Sequence, residues 1–438
     1  MRSERMRRLG FCLTAGALLS ACAGTEPQTA NLAQSDPCAV ALAEHADNDK
    51  RLTDAIGRAR RALESNRDPT PRLENLGWLY VAKARSSHDD GLYSLADRTA
   101  ACLESKQEDS AGAALLRGHL AHAGHRFAEA EQLARLALAA DESPYAWGLL
   151  GDALMEQGRL DETEQAYQRM IDIKPGLQSY SRGAHLRRLY GDLSGAIELQ
   201  RLAAAAGGGR NSEATAWALS RLALYELESG QAQRAIEAAD GALRRLPAYA
   251  PALLARGRIL LAGGDAASAA ESLEQAVEAN PLPEYRWALA DALRSLGREA
   301  AATAVEADLL RAGAMDDPRT TALFLATRGD DVATALRLAR RELESRQDAL
   351  TYDAWAWALL ASGQVEDART AMADALRTNV QDARLFLHAG AIAAAAGRTA
   401  EARRRLDRAA EMESMLLPSE RIRLNSERAR LRSPSSTT

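Results

Sequence analysis

Between residues 118 and 402 a pair of small residues, twelve positions apart, recurs nine times. The first members are Gly118, Gly151, Ala184, Ala223, Gly257, Ala290, Leu323, Ala356 and Gly390. Their partners are Ala130, Thr163, Ala196, Ala235, Ala269, Ala302, Ala335, Ala368 and Ala402. Successive partners are 33 or 34 residues apart, with one step of 39, and only Leu323 and Thr163 are neither Gly nor Ala. A unit of this length holds two helices and a turn. It cannot bury its apolar face alone, so neighbouring units must stack into a continuous core. The paired small residues predict the place where the first helix of a unit (A) crosses the second (B), because backbones approach closely only where side chains are small. Within each pair after the first lies a glycine (Gly158, Gly191, Gly230, Gly264, Gly297, Gly329, Gly363 or Gly397) suited to end helix A in the left-handed region. Pro175, Pro247 and Pro281 stop helix B, and Ser143-Pro144 reads as an N-cap followed by a first-turn proline. Hydrophobic residues make up 47% of the chain but aromatic ones only 5%, which suits helices packed through Ala and Leu and argues against a β-rich core.

These features resemble the tetratricopeptide repeat, with its 34-residue period and W-x2-L-G signature. Trp147-Gly148-Leu149-Leu150-Gly151, in a unit ending at Pro175, carries that signature best. The resemblance covers residues 111–416 and implies an all-α fold, a right-handed superhelical solenoid of antiparallel helix hairpins with about nine clear repeats. One or two degenerate hairpins are expected ahead of it, over residues 37–110. There Leu73, Leu76, Gly77 and Tyr80 look like a further helix A, and residues 38–66 like one more hairpin. Gly207-Gly208-Gly209 falls in the one long step and is a place where the stack can be offset. Residues 417–438 read as a C-terminal cap and a disordered tail.

The first residues do not belong to the fold. Arg2, Arg5, Arg7 and Arg8 precede an apolar run, Leu9 to Leu19, about half the length that spans a bilayer, so residues 1–21 read as a secretory signal. The run ends in Leu19-Ser20-Ala21-Cys22, which resembles the bacterial lipobox. That resemblance implies cleavage before Cys22, lipidation of its thiol and a membrane anchor. Ala23, in place of Asp, implies sorting to the outer membrane, with the body facing the periplasm. Residues 22–36 would form a flexible tether. The whole chain resembles bacterial lipoproteins that carry such repeats. Cleavage removes four Arg and one Glu and takes the net charge from −5 to −8, which excludes a polycation and argues against nucleic acid as partner. Cys38 and Cys102 remain in a compartment that permits disulfides. They read as two small buried helix residues, with pairing open to them.

A solenoid of such hairpins lines a concave groove with its A helices. Positions one, four and eight past the start of each A helix predict Tyr145, Asp152, Met155, Ser181, His185, Arg188, Arg258, Trp287, Asp291, Arg294 and Trp357 as residues facing a protein or peptide partner. Aromatic rings supply apolar area there, and arginines a fork for carboxylates and carbonyls. His119, His122 and His125 are weak metal candidates, since no carboxylate lies near them in sequence. The chain contains no nucleophile elbow, P-loop, dinucleotide fingerprint or HExxH. The reading is therefore of a non-enzymatic interaction scaffold of the cell envelope with no cofactor. Two alternatives stand beside it: a pilotin-like outer-membrane assembly factor for a secretion, pilus or polysaccharide machine, and an enzyme with an unrecognised site.

Overall fold

In the computed structural model, all eight turn glycines named above have positive φ. Behind each of seven of them the chain closes with a bond from the third residue after the end of helix A to a carbonyl five residues back, as in Arg159 N to Leu154 O at 3.0 Å and Asp192 N to Arg187 O at 2.9 Å. This arrangement satisfies carbonyls that a helix end leaves open. The structure describes residues 36–42, 50–63, 68–87, 89, 91–208 and 212–432. Cys22, the signal segment, the tether up to residue 35, Gly209 and residues 433–438 lie outside the described residues.

The described residues form helices and no strand. The N-terminal part holds α1 (Pro37–Leu42), α2 (Lys50–Leu63) and the hairpin α3 (Thr70–Ser87) and α4 (Gly91–Lys106). Nine hairpins follow. They are α5 (Ala111–Ala123) with α6 (Phe127–Ala140), α7 (Pro144–Glu156) with α8 (Leu160–Ile173), and α9 (Leu177–Leu189) with α10 (Leu193–Ala206). Next come α11 (Ser212–Glu228) with α12 (Ala232–Arg245), α13 (Ala250–Ala262) with α14 (Ala266–Ala279), and α15 (Pro283–Ser295) with α16 (Glu299–Asp316). The last three are α17 (Pro318–Arg328) with α18 (Val332–Leu343), α19 (Ala349–Ala361) with α20 (Val365–Leu376), and α21 (Ala383–Ala395) with α22 (Thr399–Glu411). A 3-10 turn, Glu413–Met415, leads into α23 (Pro418–Arg432).

The recurring small pairs are buried where A meets B. At Gly257 an added Cβ would come within 2.5 Å of Leu273, and at Gly390 within 2.5 Å of Leu406. Asp and Ser side chains cap many of the helices: Ser143 accepts the Tyr145 amide, Asp265 that of Ser268, Asp348 that of Thr351, and Asp382 those of Arg384 and Leu385. Of the six extra residues of the long repeat step, four lengthen helix A. α11 has 17 residues, against 13 in α9 and α13.

Two features depart from the sequence reading. Cys38 and Cys102 are joined as a disulfide rather than buried as free thiols. The reason is local: α1 packs on α4, not on α2, which packs on α3, and this brings the two cysteines to a Cα separation of 4.8 Å. The Tyr80 hydroxyl, 2.6 Å from the Ala41 carbonyl, holds α1 from its other side.

The second feature is that the superhelix meets itself. About six hairpins separate each pair of contacting segments. The Gln347 amide donates to Glu156 O at 2.9 Å, and the Gln381 amide to Leu189 O at 2.8 Å. Arg346 reaches Glu156 at 2.7 Å, and its guanidinium lies 5.2 Å from the centre of the Phe127 ring. Leu160, Tyr167, Leu186 and Leu189 join one apolar cluster with Ala349, Leu359, Leu385 and Ile392. Successive turns are thus in direct contact, and the A-helix face is the wall of an internal channel rather than an open groove.

Candidate partner-binding channel

The channel contains two adjoining cavities, of about 470 Å³ and about 220 Å³, which share Arg188, Glu228, Leu254, Arg258, Arg319 and Asp382 in their walls. The predicted residues divide by how far they take part in this channel.

Met155, His185, Arg188 and Arg258 line the larger cavity. Burial, reinforced by the Arg221 and Arg188 guanidiniums, pushes His185 down to about 3, so its ring is neutral; its Nδ1 is 3.5 Å from the Tyr225 hydroxyl. Arg188 is committed internally, to Glu228 at 3.0 Å and Asp382 at 3.0 Å. Arg258 donates to the Met415 carbonyl and pairs with Glu284 at 3.7 Å.

Trp287, Asp291 and Trp357 are each only 3% exposed. Trp287 packs edge-on against Phe324 and lies beneath the Arg384 guanidinium. Asp291 accepts the Ser419 amide at 2.9 Å; burial is the main reason its carboxyl is pushed up to about 6. Trp357 stacks on His388 at 3.9 Å, donates from Nε1 to Thr327 at 3.0 Å, and carries the Arg423 guanidinium over its face.

The other four stand apart. Asp152 takes two bonds from Arg182, at 2.8 and 2.6 Å, and one from the Tyr167 hydroxyl at 2.8 Å. Burial raises its carboxyl, but Arg182 more than offsets this and leaves it below the usual range. Ser181 is buried, 3.4 Å from Gln200 Nε2. Arg294 turns back to Glu306 of its own hairpin. Tyr145 is 45% exposed and pairs with Lys174 at 2.6 Å.

Sequence reasoning passed over α11, whose Trp217, Ser220, Arg221, Leu224 and Glu228 all line the larger cavity. Their spacing, i, i+3, i+4, i+7 and i+11, is one helix face, and that pattern was the available signal. Trp217 is 37% exposed. Arg221 contacts the Tyr225 hydroxyl at 3.4 Å and lies over its ring, and among the described residues it has no carboxylate ion-pair partner.

The three histidines pack on aromatic rings, two of them on the same one. His125 occupies the left-handed turn position, φ +57°, that glycine holds in later hairpins; it stacks on Phe127 and lies 3.6 Å from Glu342. His119 packs on Trp78, and burial pushes it down to about 4. His122 packs on Phe127. Among the described residues no group of three or more His, Cys, Asp or Glu is placed to hold a metal ion.

Helix hairpins stacked in this way define the class of repeat-built, all-α scaffolds. The tetratricopeptide repeat model matches residues 115–177, 220–281, 254–317 and 353–414, together about half of the sequence. The chain belongs to the tetratricopeptide repeat family, a family of non-catalytic interaction scaffolds. No curated protein matches it. Among solved structures it is similar to PilW, a type IV pilus biogenesis factor, at 16% identity over 46% of this chain and 92% of that one, with a TM-score of 0.41. It is also similar to pilF of Pseudomonas aeruginosa at 13% identity over 49% and 96%, with a TM-score of 0.39. For MamA the identity is 19% over 37% and 94%, with a TM-score of 0.31.

Proposed function

We propose that this protein is a lipid-anchored scaffold of the cell envelope that takes a protein or peptide partner in its internal channel. The observation that carries the reading is the α11 face. An exposed indole, Trp217, and Arg221, which among the described residues has no carboxylate ion-pair partner, stand one helical turn apart on the wall of the larger cavity. A guanidinium in that position is set to receive a partner's carboxylate or carbonyl oxygen, and the indole to bury apolar area beside it. The Leu-Ser-Ala-Cys22 sequence supports the anchor, with the tether setting the body just off the membrane.

A photo-crosslinking residue placed at Trp217 of the full chain in its native cells tests the channel, with Leu136, exposed on a B helix, as the comparison site. One partner captured from position 217 and absent from position 136 is the expected result; equal capture from both defeats the channel reading. Metabolic labelling with a fatty acid tests the anchor. Label on the wild type that is lost in Cys22→Ala is expected, and an unlabelled wild type defeats it.

A further inference from the structure

The channel wall beyond Arg258 is already occupied, by the chain's own residues 415–423. We propose that this segment is a tethered stand-in for an external ligand. On this view, the surface beneath it docks a partner helix with the same chemistry: two adjacent apolar residues, a Glu three positions on, and an Arg three further. The inference rests on reading the channel as the partner-binding surface.

Two of the contacts go to the segment's main chain. Arg258 donates to the Met415 carbonyl, and Asp291 accepts the Ser419 amide at 2.9 Å. Ser419 lies in the first turn of α23, where helix amides have no internal partner, so Asp291 serves as an external cap. Both bonds are indifferent to the side chains of the bound segment, and any helix entering at this point can make them. Specificity comes from three further contacts. Arg384 pairs with Glu420, whose other oxygen accepts the Leu417 amide at 2.8 Å. Arg423 covers the Trp357 ring at 5.3 Å. Leu417 enters the same apolar cluster as Trp287 and Leu323.

The remainder of α23 is held differently. Arg428 pairs with Asp407 at 2.9 Å, and Arg403 donates to the Leu431 carbonyl at 2.8 Å, both joining α23 to α22. This half caps the last hairpin, and it keeps the first half close by when that half lifts from the wall. Met415, Leu416 and Leu417 bury apolar surface that release would expose, so only an incoming helix with its own apolar pair can displace them, whereas the polar contacts of residues 415–423 can be exchanged for water and Asp291 regains hydration on release. An incoming helix with the same pattern would replace them one for one.

The test uses a fluorescent peptide of residues 412–425 titrated onto the full chain and onto a Leu417→Asp/Glu420→Ala variant, which frees the wall and leaves residue 420 of the chain unable to pair with either charge at 384. Binding to the variant at least tenfold tighter than to the wild type is expected. A peptide carrying Glu420→Arg should lose that binding and regain it when the variant also carries Arg384→Glu. Equal affinity for wild type and variant, or no binding to the variant, overturns the proposal. So does a variant that loses its helical signal, since the segment would then be integral to the core. Hydrogen exchange on the wild type gives an independent reading. Amides 419–423 should open more readily than those of α15 and α21; opening only together with them overturns the proposal. Continued capture at Trp217 would then leave the scaffold reading intact while the stand-in falls.

Discussion

Arg188, near the end of α9, and Asp382, the cap of α21, are 194 positions apart in sequence and 3.0 Å apart in space. The same guanidinium holds Glu228 at 3.0 Å. Arg188 therefore joins two turns of the superhelix and neutralises two carboxylates that are each less than 15% exposed. Replacing it with Ala leaves both carboxylates buried without their ion-pair partner, Asp382 keeping only its bonds from the Arg384 and Leu385 amides. The expected loss is about 3–5 kcal/mol in chemical denaturation. Replacing Arg188 and both carboxylates with apolar residues of similar size should recover most of this. An Arg188→Ala chain as stable as the wild type would mean that the turns do not touch.

Gly158 tests that contact through the backbone. It sits at φ +72°, and an added Cβ would come within 2.6 Å of the Gln347 carbonyl oxygen across the turn. Gly230 has φ +76° with nothing within 4 Å. Gly230→Ala should cost roughly 1–2 kcal/mol, from the left-handed conformation alone. Gly158→Ala should cost the same plus about 1–3 kcal/mol for overlap with a main-chain atom that cannot rotate away. Thermal unfolding of the two variants measures the difference, and equal losses would contradict the close approach.

Glu156 gives the contact a pH dependence. Burial pushes its carboxyl up to about 7, with Asp348 adding to the rise and Arg346 and Arg319 opposing it. Since the folded state binds the proton more tightly than the unfolded one, this group makes stability fall as pH rises from about 4.5 to about 7. Glu156→Gln cannot ionise. It should match the wild type near pH 4 and exceed it by on the order of 2–3 kcal/mol at pH 8. Denaturant midpoints across that range test this; a variant weaker than the wild type at pH 8 would show that the Arg346 ion pair outweighs burial.

The Cys38–Cys102 bond closes a loop with a sequence separation of 64. Cys38→Ser or Cys102→Ser should lower the stability of the N-terminal packing by about 2–4 kcal/mol. The main unfolding transition of the nine hairpins should hardly move, because each hairpin draws its stability mostly from its neighbours. Non-reducing peptide mapping should recover the two cysteines joined, and hydrogen exchange should find α1 unprotected in either variant.

The repeat unit could be read from the sequence because its determinants are local. Gly191 and Gly363 mark a backbone conformation, and Ala196 and Ala368 mark a close approach within one hairpin. The meeting of successive turns was not legible. It depends on the sum of small rotations between hairpins, and no residue type encodes that sum. For that reason Arg188 and Asp291 read as waiting for a partner when the chain itself supplies one. The histidines show a different limit of the sequence. Proximity in sequence put His119, His122 and His125 together, but His125 is a turn residue and the other two pack on different rings. The disulfide was hidden because α1 reaches past its neighbour to α4.

The contact between turns also limits how this array can change in length. An open stack can gain or lose a unit in its middle at the expense of a few neighbours. Here, deleting one hairpin between α9 and α21 would slide Leu189 away from Gln381 and set every later segment against the wrong counterpart. The number of units in that stretch is therefore fixed by geometry, and insertions are tolerated only where they leave the count unchanged, as the added turn of α11 does.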